Sequence, residues 1–318
     1  MAKTGEFALI DRIRTLFGDI PSGGIEGIGD DCAVIPSGGG RSTVITTDLL
    51  AEGVHFLRRA LSPEELGRKS LAVNLSDVAA MGAAPVGSLL SLALPADCRG
   101  EWAERFMAGY HELSARYGVP LIGGDTTSSE GGITINVVAL GSAPDACIKR
   151  RSGARPGDVI AVTGPLGESG AGLRDVLAGR FDTPQARIHH NPTPCVYEGE
   201  WLGSRSEVHA MIDLSDGLAS DLPHILELSG VGATIHLERI PAPCTLEDAL
   251  AGGEDYKLLF TARPEDWRQL CGAYRERFGT EPAAVGEITR KEGDAGPRIA
   301  WCSEGRPVEG SWQGFSHF

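Results

Sequence analysis

The sequence predicts a two-domain protein of mixed α/β (α+β) class, because predicted strands and helices alternate in both halves of the chain. At 318 residues the chain is long enough for two domains with separate hydrophobic cores. A stretch rich in glycine, proline and basic residues runs from Ser142 to Asp158 and resembles a linker. We therefore place the domain boundary near residue 148, with domains 1–148 and 149–318.

Strands are predicted where β-branched and other apolar residues form short runs. These runs are 42–47, 119–122 and 133–140 in the first half and 159–163, 233–237 and 258–261 in the second. The run 119–122 is expected to be a buried strand. The clearest helix begins at Ser62, which acts as N-cap, with Pro63 in the first position and Glu65 completing a capping box. It is expected to extend to about Met81. Further helices are predicted at 101–117, after Asp216 to near Gly230, and at 267–278.

Composition and charge exclude several classes of protein. A formal net charge of −14 argues against nucleic acid or an anionic membrane as the main partner. No apolar stretch reaches the roughly 20 residues of a membrane span, and the N-terminal residues lack the apolar core of a signal peptide. Seven cysteines without a Cys-x-x-Cys motif suit a reducing compartment better than a disulfide framework or a zinc site. These features predict a cytoplasmic enzyme.

Five aspartate clusters lie where apolar runs end or break. They are 29–31, 46–48, 74–77, 123–125 and 213–216. None has a nearby Lys or Arg in the sequence as a salt-bridge partner. Although a single aspartate of this kind is usually a turn or cap residue, several together without His or Cys are typical of Mg²⁺ sites. Several Mg²⁺ ions in turn indicate phosphate groups, most often those of a nucleotide.

Helical spacing puts Asp77 on the same face as Leu66, Ser70 and Val73, which is expected to point inward. A carboxylate on such a face must be paired or metal-bound, because burying it alone is costly. Asp77 is therefore the predicted bridging metal ligand.

Outside the aspartate clusters, three features are candidates for ligand contacts. The basic run 149–151 with Arg155 is either a solvated linker or a phosphate clamp, and Arg151 is the predicted nucleotide contact. His55 and Glu254 are candidate substrate contacts, each with a structural alternative of similar weight. Neither a Walker A sequence nor an activated nucleophile is present in the sequence. Direct in-line transfer is therefore favoured over a covalent enzyme intermediate.

In their order along the chain, these motifs resemble the thiamine-monophosphate kinase family. The residues that carry the resemblance are 27–33, 46–48, 74–83, 123–127, 151–158 and 213–218, with 5–7 and 314–318 at the two ends. The family belongs with aminoimidazole ribonucleotide synthetase, selenophosphate synthetase and the hydrogenase-maturation ATPases. It implies a PurM-like subunit, whose N-terminal domain pairs with a second copy in a dimeric β-barrel and whose C-terminal domain is α/β.

The resemblance implies ATP-dependent phosphorylation of thiamine monophosphate to thiamine diphosphate by a homodimer that uses several Mg²⁺ ions. The implied Mg²⁺ ligands are Asp31, Thr46, Thr47, Asp48, Asp77, Asp125, Asp213 and Asp216, of which Asp48, Asp77 and Asp216 are the catalytic candidates. The implied ATP contacts are Gly124, Asp125, Arg151 and Ser215. The implied substrate contacts are His55, Glu254 and Phe315, with Trp312 as the alternative to Phe315. A requirement for K⁺ stays open. The alternative function is that of another ATP-dependent synthetase or kinase of the superfamily with a different acceptor.

Overall fold

The computed structural model describes residues 5–291, 298–310 and 312. Within the first half of these residues, five strands form one mixed sheet. They are β1 (Ala33–Gly38), β2 (Arg41–Ala51), β3 (Ala84–Leu94), β4 (Leu121–Ser128) and β5 (Thr134–Pro144). The order in the sheet is β1-β2-β5-β3-β4, and of its neighbouring pairs β3 and β4 are parallel while the others are antiparallel. The edge strands of this sheet are therefore β1 and β4.

The helices of this half are α1 (Glu6–Leu16), α2 (Pro63–Ala80) and α3 (Glu101–Tyr117). Helix α2 begins as predicted: the Ser62 hydroxyl accepts from the Glu65 N–H at 3.2 Å, and the Glu65 carboxylate accepts from the Ser62 N–H at 2.7 Å. Helices α2 and α3 approach each other closely at Gly109 on α3. A Cβ atom at this position would lie 1.9 Å from the Glu64 carbonyl oxygen, so only glycine fits there. Both helices pack on the same sheet face, against buried residues such as Ile135 and Val137.

The second half contains a seven-stranded mixed sheet within the described residues. Its strands are β6 (Val159–Val162), β7 (Val208–Asp213), β8 (Val231–His236), β9 (Leu258–Ala262), β10 (Ala283–Arg290), β11 (Ile299–Ser303) and β12 (Arg306–Pro307). The order is β12-β11-β8-β10-β6-β9-β7. The helices are α4 (Glu168–Leu177), α5 (Pro184–His190), α6 (Val196–Gly203), α7 (Leu218–Ser229), α8 (Leu246–Ala251) and α9 (Trp267–Phe278).

One predicted strand is wrong in position and in burial. The run 119–122 was expected to be buried, whereas β4 spans Leu121–Ser128 and every one of its residues is exposed. The reason is its place at the edge of the sheet, where it pairs only with β3. The predicted helices 101–117 and 267–278 are confirmed as α3 and α9.

Helix α2 joins the two domains. Its Leu71 and Leu75 belong to the core of the first domain, while Ala79 and Ala80 pack with Phe260 and other core residues of the second. A helix covered on both sides is buried around most of its circumference, as α2 is. Polar side chains of α2 are therefore placed at the domain junction. Among the described helices, none is long and apolar enough to cross a membrane.

Candidate active site

Three carboxylates from distant parts of the chain meet at the domain junction. Asp31 precedes β1, Asp77 lies near the end of α2, and Asp213 is the last residue of β7. Each offers a carboxylate oxygen, and these oxygens lie within 4.8 Å of one another. A group of hard oxygen donors at this spacing fits a divalent cation such as Mg²⁺. We call these three residues the acidic triad.

Neighbouring hydroxyl groups orient two members of the acidic triad. Thr46 on β2 donates a hydrogen bond of 2.5 Å from Oγ1 to Asp77 Oδ2. Ser76, which is fully buried on α2, donates from Oγ to Asp213 Oδ2 at 2.6 Å. The second bond crosses from the first domain to the second, so it ties the geometry of the triad to the packing of the two domains.

Asp31 has a basic partner that is distant in the sequence. Arg151 donates from Nη2 to Asp31 Oδ1 at 2.6 Å, and its backbone N–H donates to Asp30 Oδ2 at 3.2 Å. Burial alone would lower the pKa of Arg151, but the carboxylates of Asp31 and Asp30 raise it. The guanidinium thus remains a fixed positive charge beside the triad. The pair is 120 residues apart, which is why local sequence could not reveal it.

Burial and mutual repulsion raise the pKa values of the clustered carboxylates. Burial raises the pKa of Asp77 well above its ordinary value, and the charges of Asp48 and Asp213 add to the shift. Burial, reinforced by the charge of Asp31, raises the pKa of Asp213 to about 8. Burial also raises the pKa of Asp48 to about 6. Carboxylates in this situation favour a bound cation, which replaces protons as the compensating charge.

A cleft of about 320 Å³ opens between the two domains next to these carboxylates. Its acidic end is lined by Asp48 from β2, Asp77 from α2 and Asp216 from the segment after β7. Its apolar wall is formed by residues of both domains, namely Leu50, Val54, Val73, Leu173 and Tyr256. The cleft therefore suits an organic ligand that carries a strongly anionic group at one end.

The predicted ligand contacts His55, Glu254 and Ser215 line the same cleft. The backbone of Glu254 has φ +64°, an unusual value for a residue with a side chain, and its N–H donates to the Ser215 carbonyl at 2.8 Å. His55 Nδ1 accepts from the Ala51 N–H at 3.0 Å. Backbone contacts thus hold both side chains at the cleft wall.

A buried network behind Glu254 was not predicted. Lys69 on α2 is 1% exposed, and its Nζ donates to Glu254 Oε2 at 2.9 Å and to the His189 carbonyl at 3.3 Å. His189 Nδ1 lies 3.1 Å from the same Glu254 oxygen and 3.0 Å from Ser169 Oγ. The sequence feature that could have indicated a buried Lys69 is helical spacing, which puts Lys69 one turn before Val73 on a buried face. Its partner Glu254 follows 185 residues later.

Thr47 and Asp125 are not brought to the acidic triad within one chain. Along β2 the residues facing α2 alternate with exposed ones, and Thr47 is exposed, with its Oγ1 accepting from Asn136 Nδ2 at 2.8 Å. Asp125 lies on β4 and pairs with Ser91 on β3, which in turn pairs with Asn136 on β5. Asn136 pairs with the exposed Leu49 on β2, so the side chains of Asp125 and Leu49 are on the same face of the sheet. Asp125 therefore faces the side of the sheet away from α2.

Gly124 also lies away from the acidic triad, because of the distance across the sheet. Strands β5 and β3 lie between β2 and β4, so β4 is roughly 14 Å from Asp48 along the sheet at the usual strand spacing. Gly124 itself is required by packing, because a Cβ atom there would lie 1.8 Å from the Leu90 carbonyl oxygen.

The predicted substrate contact Phe315 lies outside the described residues. Its alternative, Trp312, packs against Trp301 in the core of the second domain with the ring centroids 4.9 Å apart.

Family models for the two domains match this architecture. The N-terminal domain of AIR synthase related proteins matches residues 29–143, and the C-terminal domain matches residues 155–296. The chain therefore belongs to the AIR synthase related proteins, with both the N-terminal and the C-terminal domain of that family.

Individual relatives narrow this class. The thiamine-monophosphate kinase of Escherichia coli K12 is 38% identical over 336 aligned residues, covering 99% of this chain and 98% of its own. The solved structure of AaThiL complexed with AMPPCP and TMP has a TM-score of 0.83 at 33% identity, covering 99% of this chain and 97% of its own. The crystal structure of the thiamine-monophosphate kinase from Stenotrophomonas maltophilia K279a has a TM-score of 0.75 at 34% identity, covering 95% of this chain and 98% of its own. The chain belongs to the thiamine-monophosphate kinase family, which confirms the resemblance and the expected PurM-like fold.

Proposed function

We propose that this protein transfers the γ-phosphoryl group of ATP to thiamine monophosphate and so forms thiamine diphosphate and ADP. The observation that carries the proposal is the acidic triad beside a cleft with an apolar wall, in a chain similar over its full length to thiamine-monophosphate kinases. The AaThiL complex with AMPPCP and TMP supports the choice of both substrates.

The acidic triad, together with Asp48 and Asp216, is proposed to hold the Mg²⁺ ions. The donor set fits this role because the triad carboxylate oxygens are closely spaced, and because burial raises the pKa values of Asp77 and Asp213. Bound there, Mg²⁺ supplies charge neutralisation for the phosphate groups of the two anionic substrates.

The chain's own residues align the reactants and exclude water. A terminal phosphate oxygen of thiamine monophosphate attacks the γ-phosphorus of ATP, the bond from that phosphorus to the β–γ bridging oxygen breaks, and ADP leaves. The acceptor phosphate is already ionised, so no strong base is needed. Arg151 adds a fixed positive charge near the acidic end, while His55 and Glu254 hold the organic part of the acceptor. The apolar wall limits access of water, which would otherwise hydrolyse ATP.

The second part of the proposal is a homodimer formed through the sheet of the N-terminal domain. Strand β4 is an edge strand with Ile122 60% exposed, and the outer sheet face exposes Leu49 by 56%. An unpaired edge next to exposed apolar side chains favours association with a second copy. In this dimer, Gly124 and Asp125 of one copy act in the ATP site of the other, which explains why they lie away from the acidic triad of their own chain.

Product analysis tests the main proposal. Incubation with ATP, Mg²⁺ and thiamine monophosphate is expected to give thiamine diphosphate and ADP in equal amounts. Release of ADP on a different acceptor, with no thiamine diphosphate formed, would instead favour the alternative of another kinase or synthetase of the superfamily.

Subunit mixing tests the contribution of Asp125 to the second copy. Asp77→Asn and Asp125→Asn are each expected to be inactive alone. Refolded together as a random mixture, they restore about a quarter of wild-type activity, because each mixed dimer then contains one intact site. No recovery in a mixture that forms mixed dimers would contradict a role in the second copy.

A further inference from the structure

Glu254 reaches the cleft from a loop with an unusual backbone. Glu254 and Tyr256 have φ values of +64° and +49°, in the left-handed region that residues with side chains rarely adopt. The loop is tied to the segment after β7, because the Glu254 N–H donates to the Ser215 carbonyl at 2.8 Å and the Tyr256 N–H to the Leu214 carbonyl at 2.9 Å. These bonds fix the backbone of the loop. They do not fix the side chain of Glu254.

The Glu254 carboxylate is held from the other domain. Lys69 on α2 is 1% exposed, and its Nζ donates to Glu254 Oε2 at 2.9 Å. His189 Nδ1 lies 3.1 Å from the same oxygen. Both contacts are to Oε2, so they leave Oε1 for a ligand in the cleft, which Glu254 lines. The orientation of this carboxylate is therefore set by α2 of the first domain and α5 of the second.

Lys69 supplies the positive charge of this arrangement. Burial and the charge of Lys69 lower the pKa of His189 to about 2, so the His189 ring is neutral. Of the two described side chains that contact Glu254 Oε2, Lys69 is therefore the charged one. It lies behind Glu254 and does not line the main cleft. Any influence of Lys69 on a ligand in that cleft must therefore pass through Glu254.

We propose that Lys69 is a positioning residue for the acceptor substrate, because it holds the Glu254 carboxylate with Oε1 directed at the cleft. The inference rests on the proposed function, in which Glu254 holds the organic part of the acceptor. Helix α2 also carries Asp77. At 1.5 Å per residue, Lys69 and Asp77 are about 12 Å apart along the helix axis. One rigid helix thus sets the distance between the acceptor contact and the proposed metal ligand.

The test is a double-mutant cycle of Lys69→Met and Glu254→Ala, with the KM measured for both substrates. Lys69→Met should raise the KM for thiamine monophosphate at least about tenfold, because the Glu254 carboxylate is no longer held. The KM for ATP should not change. In the Glu254→Ala background, Lys69→Met should change the KM for thiamine monophosphate by less than about twofold, since Lys69 then has no carboxylate to position. KM values do not depend on how much of a variant is folded.

Arg68→Met is the matched control. Arg68 is the neighbour of Lys69 on α2, and its Nε donates to Asn191 Oδ1 at 3.0 Å, just after α5. Its Nη1 donates to Glu112 at 2.8 Å. The substitution therefore removes a cationic link between the two domains without touching Glu254. Both KM values should stay at the wild-type level.

Lys69→Gln keeps the test decisive if Lys69→Met does not fold. Its amide is neutral and polar, so it leaves no buried charge to compensate. The side chain is shorter than that of lysine and carries no charge, so it should hold the carboxylate poorly. The KM for thiamine monophosphate should again rise while the KM for ATP is unchanged.

The outcomes separate the inference from the proposed function. A wild-type KM for thiamine monophosphate in a folded Lys69 variant overturns the inference. So does an equal rise in both KM values, or a rise that persists in full in the Glu254→Ala background. Each of these results leaves the proposed function standing, since thiamine diphosphate is still formed. A wild type that forms none overturns the proposed function and the inference with it.

Discussion

The two ends of the cleft handle buried charge in opposite ways. At the acidic end, Asp48, Asp77 and Asp213 repel one another, and burial raises their pKa values. At the other end, Lys69 and Glu254 compensate each other within the chain, and His189 is neutral. The difference indicates that charge compensated by the chain serves to position residues, whereas charge left uncompensated marks the place where ligands bind.

The largest expected effect is at the acidic end. Asp77→Asn removes a triad carboxylate and should lower turnover on the order of 10³-fold, because charge stabilisation of the reacting phosphates is lost. The fold should persist, since the substitution relieves repulsion among buried carboxylates. Steady-state rates measured beside a thermal melting curve check both points. A folded variant with near-normal turnover would remove Asp77 from the mechanism.

The next effect is on stability at the other end. Lys69→Met leaves Glu254 without its buried cation and should lower the free energy of unfolding by about 3 kcal/mol. Urea unfolding measures this loss. Arg105→Met is the control, because Arg105 is paired with Glu64 on the surface and its removal should cost much less stability. Equal losses in the two variants would contradict the distinction between buried and exposed pairs.

A smaller effect concerns pH. Burial, with the charge of Lys69, lowers the pKa of His189 to about 2, below its ordinary value of 6.5. Below pH 6.5 the unfolded chain therefore binds a proton at His189 that the folded chain does not bind. The stability that neutral His189 contributes is present above pH 6.5 and is lost as the pH falls. Between pH 7.5 and pH 5 the wild type should lose about 2 kcal/mol more than His189→Gln. Parallel pH dependences of urea unfolding in the two proteins would show that His189 is not buried in neutral form.

Local rules predicted much of the fold and part of the site. The capping box at Ser62 and the glycines after α3 and α9 act over a few residues, so the sequence is sufficient to place these helices. The three aspartates of the triad were predicted from equally local signals, since Asp31 and Asp213 lie in clusters where apolar runs end or break and Asp77 lies on the inward face of a helix.

Interactions between distant segments could not be predicted in this way. Arg151 contacts Asp31 across the domain junction, and Lys69 contacts Glu254 from a different domain. Neither pair has a local signature, because each depends on how the two domains pack. The separation of Asp125 from the triad likewise depends on strand order, which the chain order of the motifs does not reveal.

The most direct test of the account is a calorimetric titration with Mg²⁺ in the presence of AMPPCP, for the wild type and for Asp77→Asn. If the acidic triad holds the cations, the wild type binds Mg²⁺ and the variant binds it at least about tenfold more weakly. Equal Mg²⁺ affinity in the two proteins, both folded, would contradict the claim that these carboxylates form the metal site.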